Sequence, residues 1–158
     1  MKVDGVAYRS IWREGEGTAV TVVDQTLLPH RFETLTISTV AEAIDAIKRM
    51  VVRGAPLIGV TGAYGYAMAL AADPSDTNLA SAYDALYAAR PPAVNLRWAL
   101  DIVRDEMQPL APEARAAAAF ATADRLHAED IKTNETMAAH GAALIREIWE
   151  EKGRSGPV

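Results

Sequence analysis

The spacing of apolar positions changes character near residue 38. Before that point apolar residues come in short alternating runs, and after it they recur every three or four positions. Residues 7–12 and 19–24 are two runs of strand length on either side of Arg13-Glu14-Gly15-Glu16-Gly17. Two glycines free to take positive φ make that segment a turn, so the pair predicts a hairpin. After a turn at Leu28-Pro29, residues 31–37 alternate, Phe32, Thr34 and Thr36 against Glu33, Leu35 and Ile37, and predict a third strand.

The switch to helix is marked by Thr39-Val40-Ala41-Glu42, a capping box in which hydroxyl and carboxylate each satisfy the other residue's N–H. Val40, Ala43, Ile44, Ile47, Met50 and Val51 then form one stripe, and Gly54 suits the left-handed position after the helix end. Pro56 fits the first turn of a second helix running to about Ala72, because a proline there sacrifices no hydrogen bond. Asp73-Pro74-Ser75-Asp76 restarts the chain into a helix striped by Leu79, Tyr83, Leu86 and Tyr87. Arg90-Pro91-Pro92 breaks it. Helix resumes at Ala93 or Val94 with Leu96, Leu100, Val103 and Met107 inward, and breaks again between Pro109 and Pro112. From Glu113 the alanine-rich sequence predicts one long helix or two, with a bend near residues 132–134 or at Gly141, and a final helix stripe of Met137, Leu144, Ile145 and Ile148. Gly153-Arg154-Ser155-Gly156-Pro157-Val158 has the composition of a linker. The expected fold class is therefore α+β, short N-terminal strands followed by a helical bundle, with a domain over residues 1–152 and a linker over 153–158 toward a second domain.

Composition narrows the function classes. The 158 residues carry a formal net charge of -5, which disfavours nucleic acid as a partner. There is no cysteine, so disulfides and thiolate metal sites are excluded. Residues 1–24 show no apolar stretch of the kind a secretory signal needs, and a cytoplasmic location is expected. Residues 56–72 are uncharged and reach the lower limit of spanning length, but Gly59, Gly62 and Gly65 fit a helix buried within a core better than one in lipid. No membrane partner is expected.

Arg53-Gly54-Ala55-Pro56 holds the most suggestive chemistry. One helix ends and another begins there, so the N–H groups of Gly54, Ala55 and Leu57 can converge at a positive helix end beside a planar guanidinium. Spacing alone favours a tight helix connection with a solvated arginine, because such junctions are common. Arg90-Pro91-Pro92 repeats the arrangement before another helix, with the same two readings. His127 and Asp130 share a helix face with Glu129 beside them, too few ligands for a metal site, and His30 and His140 are isolated. Tyr64 and Tyr66 cannot face the same way on their helix and read as core. No metal and no cofactor is expected.

Several ordered blocks resemble the S-methyl-5-thioribose-1-phosphate isomerase family. They are Ser10-Ile11-Trp12, Val23-Asp24-Gln25 with Leu28-Pro29, Met50-Val51-Val52-Arg53-Gly54-Ala55-Pro56-Leu57-Ile58-Gly59-Val60, Ala63-Tyr64-Gly65 and Ala89-Arg90-Pro91-Pro92-Ala93-Val94-Asn95-Leu96-Arg97-Trp98-Ala99-Leu100. Glu129-Asp130 with Asn134, and His140-Gly141-Ala142, extend the resemblance over essentially the whole chain. It implies aldose–ketose isomerisation of methylthioribose 1-phosphate in methionine salvage, with a small-molecule sugar phosphate as partner. It also implies that Arg53, Gly54, Ala55 and Arg90 bind substrate, that a Rossmann-like α/β domain follows, and that the full-length protein is a homodimer. The catalytic Cys and Asp that the resemblance implies belong to that second domain, so no catalytic residue is expected here. Pro92 stands where the family commonly has Thr. Two related classes fit the same blocks: regulatory subunits of the exchange factor for translation initiation factor two, and ribose 1,5-bisphosphate isomerases.

Overall fold

The computed structural model describes residues 2–157. The chain divides into two compact units, Met1–Asp124 and Arg125–Val158.

The first unit opens with β1 (Lys2–Val3) and β2 (Val6–Ala7), an antiparallel pair turned on Asp4 and Gly5, whose φ values are 48° and 82°. Two successive positive-φ residues of the Asp-Gly type are what a two-residue hairpin turn requires. This pair splits the run expected as a single strand over residues 7–12. Ala7 closes the small hairpin, while Ile11–Arg13 is β3 and pairs with β4 (Val20–Val23). Arg13, expected in the loop, is the last residue of β3. β5 (Thr34–Ile37) completes a three-stranded antiparallel sheet in the order β3-β4-β5, with Thr21 opposite Thr36. β4 is central, and its Val20, Val22 and Val23 are buried with Ile11 and Ile37.

α1 (Val40–Lys48) starts at the predicted capping box: Glu42 N–H donates to the Thr39 hydroxyl, and the Glu42 carboxylate accepts from the N–H groups of Thr39 and Ser38. These bonds hold the Glu42 carboxyl below its ordinary value, the Ser38 N–H being the largest cause. A depressed carboxylate adds stability that is complete above its unfolded pKa and lost as the pH falls through the folded value. Glu42→Gln should therefore flatten the acid limb of a stability–pH curve, read by thermal melts between about pH 3 and 6. Thr39→Ala should cost about 1 kcal/mol near neutral pH.

The end of α1 differs from expectation. The helix stops at Lys48, and Met50, not Gly54, takes the left-handed conformation, with φ 63°. Gly54 is instead the residue before α2 (Ala55–Ala72), at φ 92°. The N–H of Val51 returns to the Ala46 carbonyl, which closes α1 early and turns Val51 and Val52 into the core.

α2 is buried on all sides from Ile58 to Leu70, which explains why its apolar residues follow no stripe. It is the one helix among the described residues long and apolar enough to cross a membrane, and 72 % of that window is buried inside the protein. Its two tyrosines diverge as expected. Tyr64 donates to Asp124 at 2.7 Å, and Tyr66 donates to the Leu79 carbonyl. α3 (Asp76–Tyr87) and α4 (Val94–Met107) pack on it through Leu79, Ala82 and Leu86, and through Leu96, Ala99, Leu100, Val103 and Met107.

α5 (Pro112–Glu151) is a single helix with no break at residues 132–134 or at Gly141. Within the first unit its Arg115, Ala119, Phe120 and Ala123 are buried. Arg115 is only 4 % exposed at its side chain, pairs with Asp76 at 2.6 Å and donates to the carbonyls of Pro74, Met107 and Leu110. One guanidinium thus satisfies the ends of two loops. In the second unit the expected helix stripe is exposed: Met137 59 %, Leu144 62 %, Ile145 57 % and Ile148 44 %. The spacing is helical, but no described residue of that unit covers the face.

Candidate functional site

The two proline-marked junctions meet at one end of the helical layer. A Cβ built on Gly59, in the second turn of α2, would lie 2.7 Å from the Asn95 carbonyl oxygen and 3.5 Å from Ala99 Cβ. One built on Gly62 would meet Leu96 and Leu100. The second turn of α2 therefore packs against the first turns of α4, which brings the starts of the two helices near one another. Small residues on α2 permit this close approach.

The connecting loops converge as well. Arg90 begins a turn closed by the Ala93 N–H on the Arg90 carbonyl at 2.9 Å, and its Nη1 lies 2.6 Å from Met50 Sδ in the loop that leads to Arg53. The Gln25 N–H donates to the Val51 carbonyl at 3.0 Å, which brings in the turn after β4. Asp24 braces that turn by accepting from the N–H and hydroxyl of Thr26. Three segments that are distant in sequence, around residues 24–26, 50–55 and 89–95, therefore frame one end of the first unit.

Capping separates these two helices from their neighbours. α1 and α3 are capped by the side chains of Thr39 and Ser75. α2 and α4 begin at Gly54 and Ala93 with no side-chain cap. The first intrahelical bond of α2 is Ile58 N–H to the Gly54 carbonyl, so the N–H groups of Ala55 and Leu57 have no helical acceptor. In α4 the Ala93 carbonyl takes the N–H groups of Leu96 and Arg97, which leaves those of Val94 and Asn95 without one. Each such end carries the equivalent of roughly half a positive charge. Arg53 is exposed, and no described residue bonds its guanidinium. Arg90 is half-buried against Met50. Gly54 and Ala55 are exposed and present bare backbone. The four residues singled out in the sequence thus share one end, around an arrangement of N–H donors and guanidinium groups suited to an anion with several oxygens.

Glu129 pairs with Arg125 at 3.3 Å, and Asp130 accepts from Asn134 Nδ2 one turn later on α5. No group of three or more His, Asp or Glu residues close enough to hold a metal occurs among the described residues. A second polar cluster gave no signal in the sequence. The Asp124 carboxylate accepts from Arg13 Nε and Nη2 and from Tyr64, while the Arg13 guanidinium lies 5.2 Å from the Phe120 ring centre. Burial, then Asp124, push the Tyr64 phenol up, so it stays protonated and donates. The cluster ties β3, α2 and α5 together within the first unit, and its partners lie too far apart in sequence for spacing to reveal.

Strands followed by a bundle with paired, uncapped helix ends define an α+β module. Residues 51–152 match the model of the initiation factor 2 subunit family, and the chain belongs to that family. A methylthioribose-1-phosphate isomerase from Sinorhizobium medicae is 46 % identical over all 158 residues, which cover 43 % of its own length. The chain thus spans less than half the length of such curated relatives. Among solved structures, 5-methylthioribose 1-phosphate isomerase from Pyrococcus horikoshii matches 85 % of the chain and 40 % of its own, at TM-score 0.77 and 30 % identity. Subunit delta of the translation initiation factor eIF-2B from A. fulgidus matches 87 % of the chain and 42 % of its own, at TM-score 0.78 and 33 % identity.

Proposed function

We propose that this chain is the substrate-phosphate-binding N-terminal part of a cytoplasmic methylthioribose-1-phosphate isomerase, spanning residues 1–152 with 153–158 leading toward a Rossmann-like domain. The observation that carries the reading is the pair of neighbouring, uncapped helix N-termini flanked by Arg53 and Arg90. A phosphate monoester offers the matching charge and three oxygens. Gly54, at φ 92° with no side chain, lets those oxygens reach the Ala55 and Leu57 N–H groups. The relatives' names supply the rest of the substrate.

Isomerisation needs a group that moves a proton, or a dry pocket for hydride transfer, together with a polar group at the C2 oxygen. The end described here has donors and cations but no general base among Arg53, Gly54, Ala55 and Arg90. In this reading the chain binds, and the reacting Cys and Asp belong to a second domain. Two partly solvated arginines and two helix ends contribute on the order of 4 kcal/mol, a dissociation constant near millimolar. Titration of these 158 residues with methylthioribose 1-phosphate should show weak saturable binding and no turnover. Micromolar affinity, or product formation, would contradict it.

A regulatory reading has its own support in the equally close likeness to an initiation-factor subunit. It predicts that sugar phosphates leave the chain unperturbed at millimolar concentration, so the same titration separates the two.

A further inference from the structure

Arg90 is held in an unusual way for a cation. Among the described residues its guanidinium has one bonded partner, the Met50 sulfur, 2.6 Å from Nη1. Arg13, Arg49 and Arg115, by contrast, each meet a carboxylate, that of Asp124, Asp45 and Asp76 respectively. A thioether is a weak and neutral acceptor, so it orients the guanidinium without cancelling its charge. A carboxylate in its place would compete directly with an anionic ligand.

Met50 also occupies a position that works against it. Its φ of 63° lies in the left-handed region that glycine adopts freely and other residues disfavour. The bond from the Val51 N–H to the Ala46 carbonyl fixes that turn, and glycine would meet it with less strain. A side chain kept there against the backbone preference has a use, and the contact of its sulfur with Arg90 supplies one. The sulfur is open to chemistry as well. Of the five methionines, Met68 and Met107 are buried in the core, whereas Met50 is half-exposed and Met137 lies on the exposed part of α5.

We propose that Met50 is a reversible oxidation site whose sulfoxide takes Arg90 out of the anion site, a regulation that rests on the phosphate-binding reading above. The oxidant is a peroxide. A sulfur lone pair attacks one oxygen of hydrogen peroxide, and the S–O bond forms as the O–O bond breaks. The departing hydroxide collects the proton left on the new oxygen and becomes water. The sulfur loses two electrons and the peroxide gains them. The product oxygen carries partial negative charge, is a far stronger acceptor than the thioether, and lies within reach of the guanidinium that the sulfur already touches. It therefore holds the Arg90 N–H groups in competition with a ligand anion. Methionine sulfoxide reductases, one for each epimer, return the thioether.

The test uses the 158-residue chain carrying Met137→Leu, which removes the exposed methionine of α5. Hydrogen peroxide is added until peptide mass spectrometry shows Met50 oxidised and Met68 and Met107 intact. Oxidation should raise the midpoint of a titration with inorganic phosphate about tenfold, the effect of losing one charge-assisted donor. Sulfoxide reductases should restore the midpoint, and the double variant Met50→Leu, Met137→Leu should show no response to peroxide. The Nε–Hε resonance of Arg90 needs no ligand: it should shift on oxidation and exchange more slowly with water, at unchanged helicity by circular dichroism. A reduced chain that binds no phosphate defeats the phosphate-binding reading, and the Arg90 resonance then decides whether the sulfoxide holds the guanidinium. An Arg90 resonance that stays in place after full oxidation of Met50 overturns the proposal. So does a peroxide response that persists without Met50, a loss of helicity on oxidation, or a Met50 as resistant to peroxide as the two buried methionines.

Discussion

Gly59→Ala is expected to destabilise the protein by about 1–2 kcal/mol, although alanine is the better helix former by about 1 kcal/mol. The added methyl would sit 2.7 Å from the Asn95 carbonyl oxygen and 3.3 Å from its carbon. Both are backbone atoms in the first turn of α4, and cannot rotate aside. Relief requires that α4 move away from α2 by several tenths of an ångström, which forfeits dispersion contacts along Ala99 and Leu96. Gly62→Ala is a useful contrast, because its methyl meets mainly the terminal carbons of Leu96 and Leu100, which have rotamer freedom. Gly59→Ala should lower the denaturation midpoint with an unchanged m-value, and Gly62→Ala should lower it less. If Gly59→Ala instead gains stability, helix propensity has outweighed packing and the two helices are not held in contact. The substitution also separates the two N-termini, so anion affinity should fall along with stability.

Arg90→Gln is expected to weaken phosphate-ester binding by about 10- to 100-fold, the loss of one charge-assisted hydrogen-bonding group worth about 1.5–3 kcal/mol. Glutamine keeps much of the side chain's length over Met50. The thermal midpoint should therefore hold within a degree or two while binding is lost, and that separation distinguishes a ligand contact from a structural prop. Arg53→Gln should behave similarly but more mildly, because Arg53 is more exposed than Arg90, and charge in solvent is screened. Arg90→Lys should restore only part of the affinity, since an ammonium cannot present two parallel donors. Unchanged affinity in Arg90→Gln would remove Arg90 from the site.

Local signals in the sequence identified most of these elements because each has a local cause. The Thr39–Glu42 box, the Pro56 start, and the breaks at residues 73–76 and 90–92 all act within a few residues, and each boundary falls where those residues place it. The Asp4-Gly5 turn is a local signal too, and it separates Ala7 from β3. The misplacement of the left-handed residue from Met50 to Gly54 has a different origin. Glycine is the usual choice, but the close of α1 is fixed by Val51 reaching the Ala46 carbonyl, a contact that no composition rule encodes. Arg13 with Asp124, and Arg115 with Asp76, were invisible for the same reason, being bonds between residues 111 and 39 positions apart. For the candidate site, the residue types were legible at Arg53-Gly54-Ala55 and Arg90. Their convergence was not, because it depends on Gly59 meeting Asn95 across two helices. The apolar stripe at 137–148 was legible as helical, whereas its exposure depends on what surrounds it.

The central claim is that two helix N-termini and two arginines form one anion site. It is tested most directly by recording backbone amide resonances while inorganic phosphate is added to the 158-residue chain at constant ionic strength and pH. The account predicts that the amides of Gly54, Ala55, Leu57, Val94 and Asn95 shift together along one saturation curve, with a midpoint near millimolar, and that Arg90→Gln abolishes the shifts at both helix ends at once. Shifts confined to one helix end, or scattered over the surface without saturation, would contradict it.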